Sequence, residues 1–221
     1  MAEVQEKAGA RGRPRRLSRE AIVAAAADLL EREPETTVSL NGVARALGVT
    51  PMTLYTYFSN IHDLHQALTA HMLEELVVSV DADATPAEAI AAWSHGTRAF
   101  FLRHPQLIMM LSWEGQVSIA WFDRSVMLVE ALRRMGFDGS ELGRVTLWAW
   151  SVIMGAINSE LRDRASPHSL SAEQVASMDA RLHAPVKAML ALEAAPGHYD
   201  DFFAFHIERL LDGLAALIAK R

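Results

Sequence analysis

Residues 38–64 read VSLNGVARALGVTPMTLYTYFSNIHDL. Ser39 is a hydroxyl cap, after which Leu40, Val43, Ala44 and Leu47 return at helical spacing, and Gly48 is the residue best able to enter the left-handed region. That predicts a short helix closed by a tight turn. Thr50 and Pro51 predict a second start, a hydroxyl cap followed by proline at a position where a missing N–H costs nothing. Two short helices joined by Gly48-Val49-Thr50 have the layout of a helix-turn-helix, whose second helix enters the major groove of DNA. In that second helix Leu54 and Phe58 share the face that packs inward, leaving Met52, Thr53, Tyr55, Thr56 and Tyr57 outward. Such hydroxyl-rich and aromatic side chains can bond phosphates and base edges, and Met52 and Thr53 offer methyl groups to thymine. The candidate DNA-contacting residues of this stretch are Ser39, Asn41, Thr50, Pro51, Met52, Thr53, Tyr55, Thr56 and Tyr57. Pattern alone also admits a surface helical hairpin with no nucleic acid near it.

Ala44, Leu47-Gly48-Val49-Thr50, Leu54-Tyr55, Tyr57-Phe58 and Leu64 resemble, in order and spacing, the signature of the tetracycline-repressor (TetR) family of regulators. The resemblance implies an all-α homodimer, with an N-terminal three-helix DNA-binding domain and a larger C-terminal helical domain that binds a small molecule and dimerises. On that basis residues 1–16 are a basic arm, 17–62 the helix-turn-helix domain, and 63–221 the ligand-binding and dimerisation domain. Thr53 and Tyr55 match family positions that contact DNA. Beyond the motif the likeness is one of length and helix layout. Two departures stand out: the family usually has a glycine near the corner where this chain has Glu33-Pro34-Glu35, and commonly a phosphate-binding lysine where it has Ile61.

A chain of 221 residues, 51% hydrophobic and 22% charged, can bury a large core. It has no cysteine, which excludes a disulfide framework and a cysteine-zinc site and suits a reducing cytoplasm. No apolar run approaches a membrane span, and the first ten residues lack the apolar core of a signal peptide. The net charge of −6 hides an asymmetry, because residues 1–60 hold eight lysines and arginines against seven acids. Arg11, Arg13, Arg15, Arg16 and Arg19 fall together with no acid among them. An acidic body with a basic tip holds DNA at one end and repels it elsewhere. Residues 1–14 show no apolar periodicity and read as a disordered arm, in which Arg11-Gly12-Arg13-Pro14 looks like the core of an AT-hook, suited to a narrow A·T minor groove. A solvated basic tail is the plainer reading; either adds phosphate attraction.

Along the chain, Ser18 caps a helix to about Arg32, and Ser59 or Asn60 starts one that runs to about Val80 and joins the two domains. Thr85-Pro86-Ala87-Glu88 starts another, to about Arg103. His104-Pro105 restarts a short helix as far as Trp113, broken by Gly115, and a further one spans about Val117 to Met135. Asp138 to Glu141 is read as a capping box, and Leu142–Leu161 is apolar nearly all round. A helix from Ser171 is interrupted or kinked at Pro185 and ended by Pro196-Gly197, and the last runs from Asp200 to about Lys220 with a wide apolar arc. A helix apolar on every side must be covered on every side, so both of these are expected to pair across a two-fold axis.

Nine histidines show no metal-ligand spacing, and neither a nucleophile motif nor a phosphate loop occurs. No metal, no cofactor and no enzymatic activity are expected. Trp93, Phe100, Met109, Met110, Trp113, Trp121, Phe122 and Trp148 are the candidate ligand-binding residues, since indoles pack tightly with difficulty and methionine packs loosely. His95, His104 and Glu114 are polar candidates beside them, although residues of these types are more often plain core. The sequence therefore reads as a cytoplasmic transcriptional regulator, a homodimeric repressor that binds double-stranded DNA and releases it to an apolar or aromatic small molecule. The alternative is an architectural or partner-controlled DNA-binding protein with a dry core and no effector.

Overall fold

The computed structural model describes residues 17–33, 38–113, 116–167 and 170–220, with the backbone alone for Met109 and residues 112, 113, 116 and 117. Arg11, Arg13, Arg15, Arg16, Pro34, Glu114 and Gly115 lie outside the described residues. The described chain is helical apart from one two-residue strand pair. It forms two compact units, the first ending at Leu68 and the second beginning at Thr69, inside one helix.

The first unit holds α1 (Arg19–Arg32), α2 (Leu40–Leu47), α3 (Pro51–Leu54) and the first half of α4 (Ile61–Leu73). Ser18 and Ser39 cap α1 and α2 by accepting from Ala21 N–H and Gly42 N–H, and Gly48 closes α2 at φ +67°. Thr50 does not cap α3; its hydroxyl pairs with that of Thr53 at 3.0 Å. At α4, Asn60 Oδ1 accepts from Asp63 N–H, and Asp63 accepts in return from Ser59 N–H. Ile22, Ala26, Val43, Leu54, Phe58 and Leu64 are fully buried.

The second unit holds α5 (Pro86–Arg103), α6 (Leu107–Met110), β1 (Ser112–Trp113), β2 (Gln116–Val117), α7 (Ile119–Arg124) and α8 (Val126–Arg134). After them come α9 (Gly139–Ala165), α10 (Ala172–Ala176), α11 (Ala180–Glu193) and α12 (His198–Ile218). α5 packs on α8 and α9, and α12 on α9 and α5. Thr85 and Glu88 make the capping box of α5, and Ser171 and Gln174 that of α10.

Besides the Thr50 cap, several expected bounds need correction. α4 ends at Leu73, not near Val80, because Val77, Val78 and Val80 are β-branched and serve better extended, where Val78 lies on Gly96 of α5. The helix expected to reach Trp113 stops at Met110, and Trp113 pairs with Gln116 in an antiparallel bridge. The helix from Val117 to Met135 is two, parted at Ser125, whose buried hydroxyl donates to Trp121 O and whose N–H reaches back only to Phe122 O. Asp138 precedes α9 without a side-chain cap, the chain turning in through Gly139 at φ +49°. Finally, the break expected at Pro185 falls at 177–179, where Asp179 caps α11 afresh; Pro185 stays within α11, its freed carbonyl partner on the exposed Arg181. α12 lies two residues earlier than expected at each end.

Candidate DNA-reading face and effector region

α2 and α3 meet at the Gly48 turn because only a residue tolerant of positive φ can reverse the chain so tightly there. Leu54 and Phe58, both fully buried, anchor the second element and its following turn, which leaves Met52 and Tyr55 74% and 52% exposed. Thr53 is half-buried between them, its hydroxyl held by Thr50, while Thr56 is exposed and donates to Thr53 O at 2.7 Å. Ser39, Asn41, Thr50 and Pro51 are exposed as well. Tyr57 differs from the rest: its phenol donates to Leu17 O at 2.9 Å, and its own carbonyl accepts from Arg19 Nη1 at 2.6 Å. It fastens the turn to the start of α1.

Arg19, the last cation of the basic run, is spoken for in the same way. Its guanidinium pairs with Asp63 and lies 4.2 Å over the Phe58 ring. That bond holds the Asp63 carboxyl below the ordinary aspartate value. Arg32 pairs with Asp28 along α1. Arg45 is exposed, stands one turn on from Asn41 on the same face of α2, and has no acidic partner among the described residues. Sequence reasoning passed it over, although an arginine four residues after Asn41 was signal enough. Ile61 is half-buried at the start of α4. The buried His65 donates from Nε2 to Val38 O at 3.0 Å, an internal tie across the unit.

The ligand candidates scatter over the second unit. Trp93 and Phe100 on α5, Met110 on α6 and Trp121 on α7 are almost wholly buried, whereas Phe122 is half-exposed. Met109 falls in α6 and Trp113 in β1. Trp148 covers Gly213 of α12, whose added Cβ would come 2.5 Å from the indole Cη2. The ring nearest to the Trp121 cluster from α9 is instead Trp150, 6.3 Å from Trp121 between centroids. Apolar periodicity could not choose between these two tryptophans on a helix apolar all round. His104 bonds Glu75 at 3.1 Å, and His95 meets the edge of Phe203. None of the eight lines the cavity of about 1040 Å³ between α9, α11 and α12, whose walls include Met189, Leu192, Phe202 and Phe205. Beside it Arg98 bonds Glu160 and Asp200, an ion cluster that raises the arginine further and holds the Asp200 carboxyl down.

Comparison with known proteins bears on both regions. Residues 22–68 match the family described as bacterial regulatory proteins, tetR family, and residues 81–218 that described as Tetracyclin repressor-like, C-terminal domain. The HTH-type transcriptional repressor DrrR1 of Streptomyces coeruleorubidus is 26% identical, across 96% of this chain and 82% of its own. A possible TetR family transcriptional regulator from Streptomyces coelicolor A3(2) superposes with a TM-score of 0.73 at 23% identity, over 90% of this chain and all of its own. BioQ, solved with its natural double-stranded DNA operator, superposes with a TM-score of 0.67 at 21% identity, over 91% of this chain and 99% of its own. At these identities the two superpositions speak for the fold.

Proposed function

The chain belongs to the TetR family of DNA-binding transcriptional regulators, and from that premise we propose that it is a homodimeric repressor released from a near-palindromic operator by an apolar or aromatic small molecule. Residues 17–62 read the DNA, and residues 63–221 take the effector and the second copy. The observation that carries the reading is the set Met52, Tyr55 and Thr56, exposed around the half-buried Thr53 and held outward by the fully buried Leu54 and Phe58. The repressor named among its relatives supports the sign of regulation, and BioQ on its operator supports duplex DNA as the partner. Release requires the effector to bind the DNA-incompetent state more tightly, since only differential affinity moves the equilibrium. No described helix is long and apolar enough to cross a membrane, and the cytoplasm is the compartment this activity needs.

The test is to select the operator from a random DNA pool and measure its affinity for Thr53→Ala/Tyr55→Ala. The double variant is expected to stay folded and lose binding, at about 1–3 kcal/mol for each base contact removed. Operator affinity within twofold of the unmodified chain would assign the reading to another surface. The near-complete burial of Trp93, Phe100 and Trp121 favours one rival, a DNA-binding protein with a dry core and no effector. A thermal-shift screen with lipophilic compounds decides: no stabilisation by any of them would establish the rival.

A further inference from the structure

We propose that the ring cluster centred on Trp121 is the effector site, that Thr97, Ser118 and Trp150 are its hydrogen-bonding anchors, and that its ligand is a flat, uncharged aromatic molecule carrying a carbonyl acceptor. The proposal rests on the reading of this chain as ligand-responsive.

Trp93, Thr97 and Phe101 follow one another at four-residue intervals along one face of α5. The ring of Trp121 lies 5.6 Å from that of Trp93 and 6.0 Å from that of Phe101, so it spans the turn that Thr97 occupies. Trp150 of α9 closes the third side at 6.3 Å, and the half-exposed Phe122 stands edge-on to Trp150 at 5.3 Å. These ring pairs are tilted by 48° to 68°, so none of them is a parallel stack.

Within this cluster three buried polar atoms have no hydrogen-bond partner among the described residues: Thr97 Oγ1, Ser118 Oγ and Trp150 Nε1. Their neighbours show that the fold can satisfy such groups. Ser94 and Ser125 each donate to the carbonyl four residues back, and Trp93 Nε1 donates to Arg124 O at 2.8 Å. Thr97 makes no such bond. Ser118 stands at the N-cap of α7, accepts Trp121 N–H on its carbonyl, and yet its hydroxyl caps nothing. A polar atom buried without a partner is costly, and three around one aromatic cluster point to a ligand that completes them.

The atoms also limit the ligand. An indole N–H only donates, so the molecule must bring an acceptor to Trp150, while the two hydroxyls can donate to it or accept from it. Rings on three sides select a planar aromatic body. Arg124, whose buried Nε also lacks a partner among the described residues, shares a separate cleft with Trp93, Asp123 and Met127; Thr97, Ser118 and Trp150 bear no charge, so an ionised ligand among them would lose its hydration uncompensated. The ring spacings are those of contact, and Phe122, partly in solvent, is the ring an entering ligand displaces.

The test uses the full chain with xanthone and flavone, which carry a ring carbonyl, and xanthene, which lacks one. Equilibrium dialysis is expected to show saturable binding of xanthone or flavone and weaker binding of xanthene. Thr97→Val and Trp150→Phe should weaken the carbonyl probes by about fivefold or more, leave xanthene unchanged, and Thr97→Ser should restore affinity. Ligand-free Thr97→Val should melt no lower than the unmodified protein, since it removes an unpaired buried hydroxyl, so the result survives even if Trp150→Phe does not fold. No saturable binding of either carbonyl probe, or affinity untouched in both variants, would overturn the site. Operator release is measured separately. Binding without any change in operator affinity would refute the ligand-responsive reading and leave the site standing. Release by xanthone undiminished in both variants would refute the site and leave the reading.

Discussion

Arg19 and Arg45 exchange the roles that their neighbourhoods in sequence suggest. Arg19 ends a run of five arginines, yet it is held by Asp63, Tyr57 O and the Phe58 ring, and so stiffens the turn after α3. Arg45 is the one cation of α2 and, with no acidic partner among the described residues, is open to solvent or phosphate. If it meets a phosphate, Arg45→Ala should lower the slope of log affinity against log salt by about 0.9, and deleting residues 1–16 should lower it by a similar step for each further contact. A slope unchanged by Arg45→Ala would take it off the DNA-facing side. The Arg19 clamp has its own signature. Folding favours ionised Asp63, whose folded value lies below the unfolded one. Its contribution is complete above the ordinary aspartate value of about 3.9 and is lost as the pH falls through the lower folded value. Asp63→Asn should therefore destabilise the protein at pH 7 in urea titrations, and the gap between variant and unmodified chain should narrow on acidification toward about pH 3. Which side chains of the second element face outward was legible, Tyr57 apart, because a helix-turn-helix is local. The partner of Arg19 was not, since Asp63 is forty-four residues away.

Elements were legible wherever their ends are written in bonds three residues long. The caps at Ser18, Ser39, Thr85-Glu88 and Ser171-Gln174 are of this kind. The breaks that periodicity missed depend on neighbours instead: Ser125 turns its hydroxyl onto the helix before it, and the extended stretch after α4 follows from the fit of Val78 on α5. Gly96 is the mark of that fit, because a Cβ there would stand 2.5 Å from Val78 Cγ2. Gly96→Ala places one methyl group where the extended segment already lies. Helix propensity favours the alanine by up to about 1 kcal/mol, but overpacking costs about 1–3 kcal/mol, so a net loss of stability is expected. Chemical denaturation checks it, and adding Val78→Ala should return most of the loss, as coupling between touching residues requires. Equal losses with and without Val78→Ala would mean that the segment is held by something other than this contact.

At the scale of the molecule, α11 and the outer face of α12 have apolar surface that one chain leaves uncovered. α11 has no buried residue among those described, and its Leu192 is 70% exposed; across the cavity Phe202 and Phe205 are 58% and 53% exposed. Contiguous exposed apolar surface of this kind marks an interaction site, and a two-fold axis would cover each face with its own copy. Only residues still exposed on the single chain could carry such a contact. Leu214 and Ala156 are already buried within their own chain, and Gly213 accommodates Trp148, so a charge at Leu214 would disrupt the core before it tested assembly. Sequence pattern found the wide apolar arc of the last helix but could not say which part of it α9 and α5 would cover. Phe202→Glu/Phe205→Glu places charge only on exposed positions. The double variant should keep its helical content and melting cooperativity, sediment as a monomer at micromolar concentration where the unmodified chain should sediment as a dimer, and lose tight binding to a two-half-site operator while retaining weak binding to a single half-site. A folded monomer for the unmodified chain under the same conditions would remove the two-fold arrangement, and with it the reason for a palindromic operator.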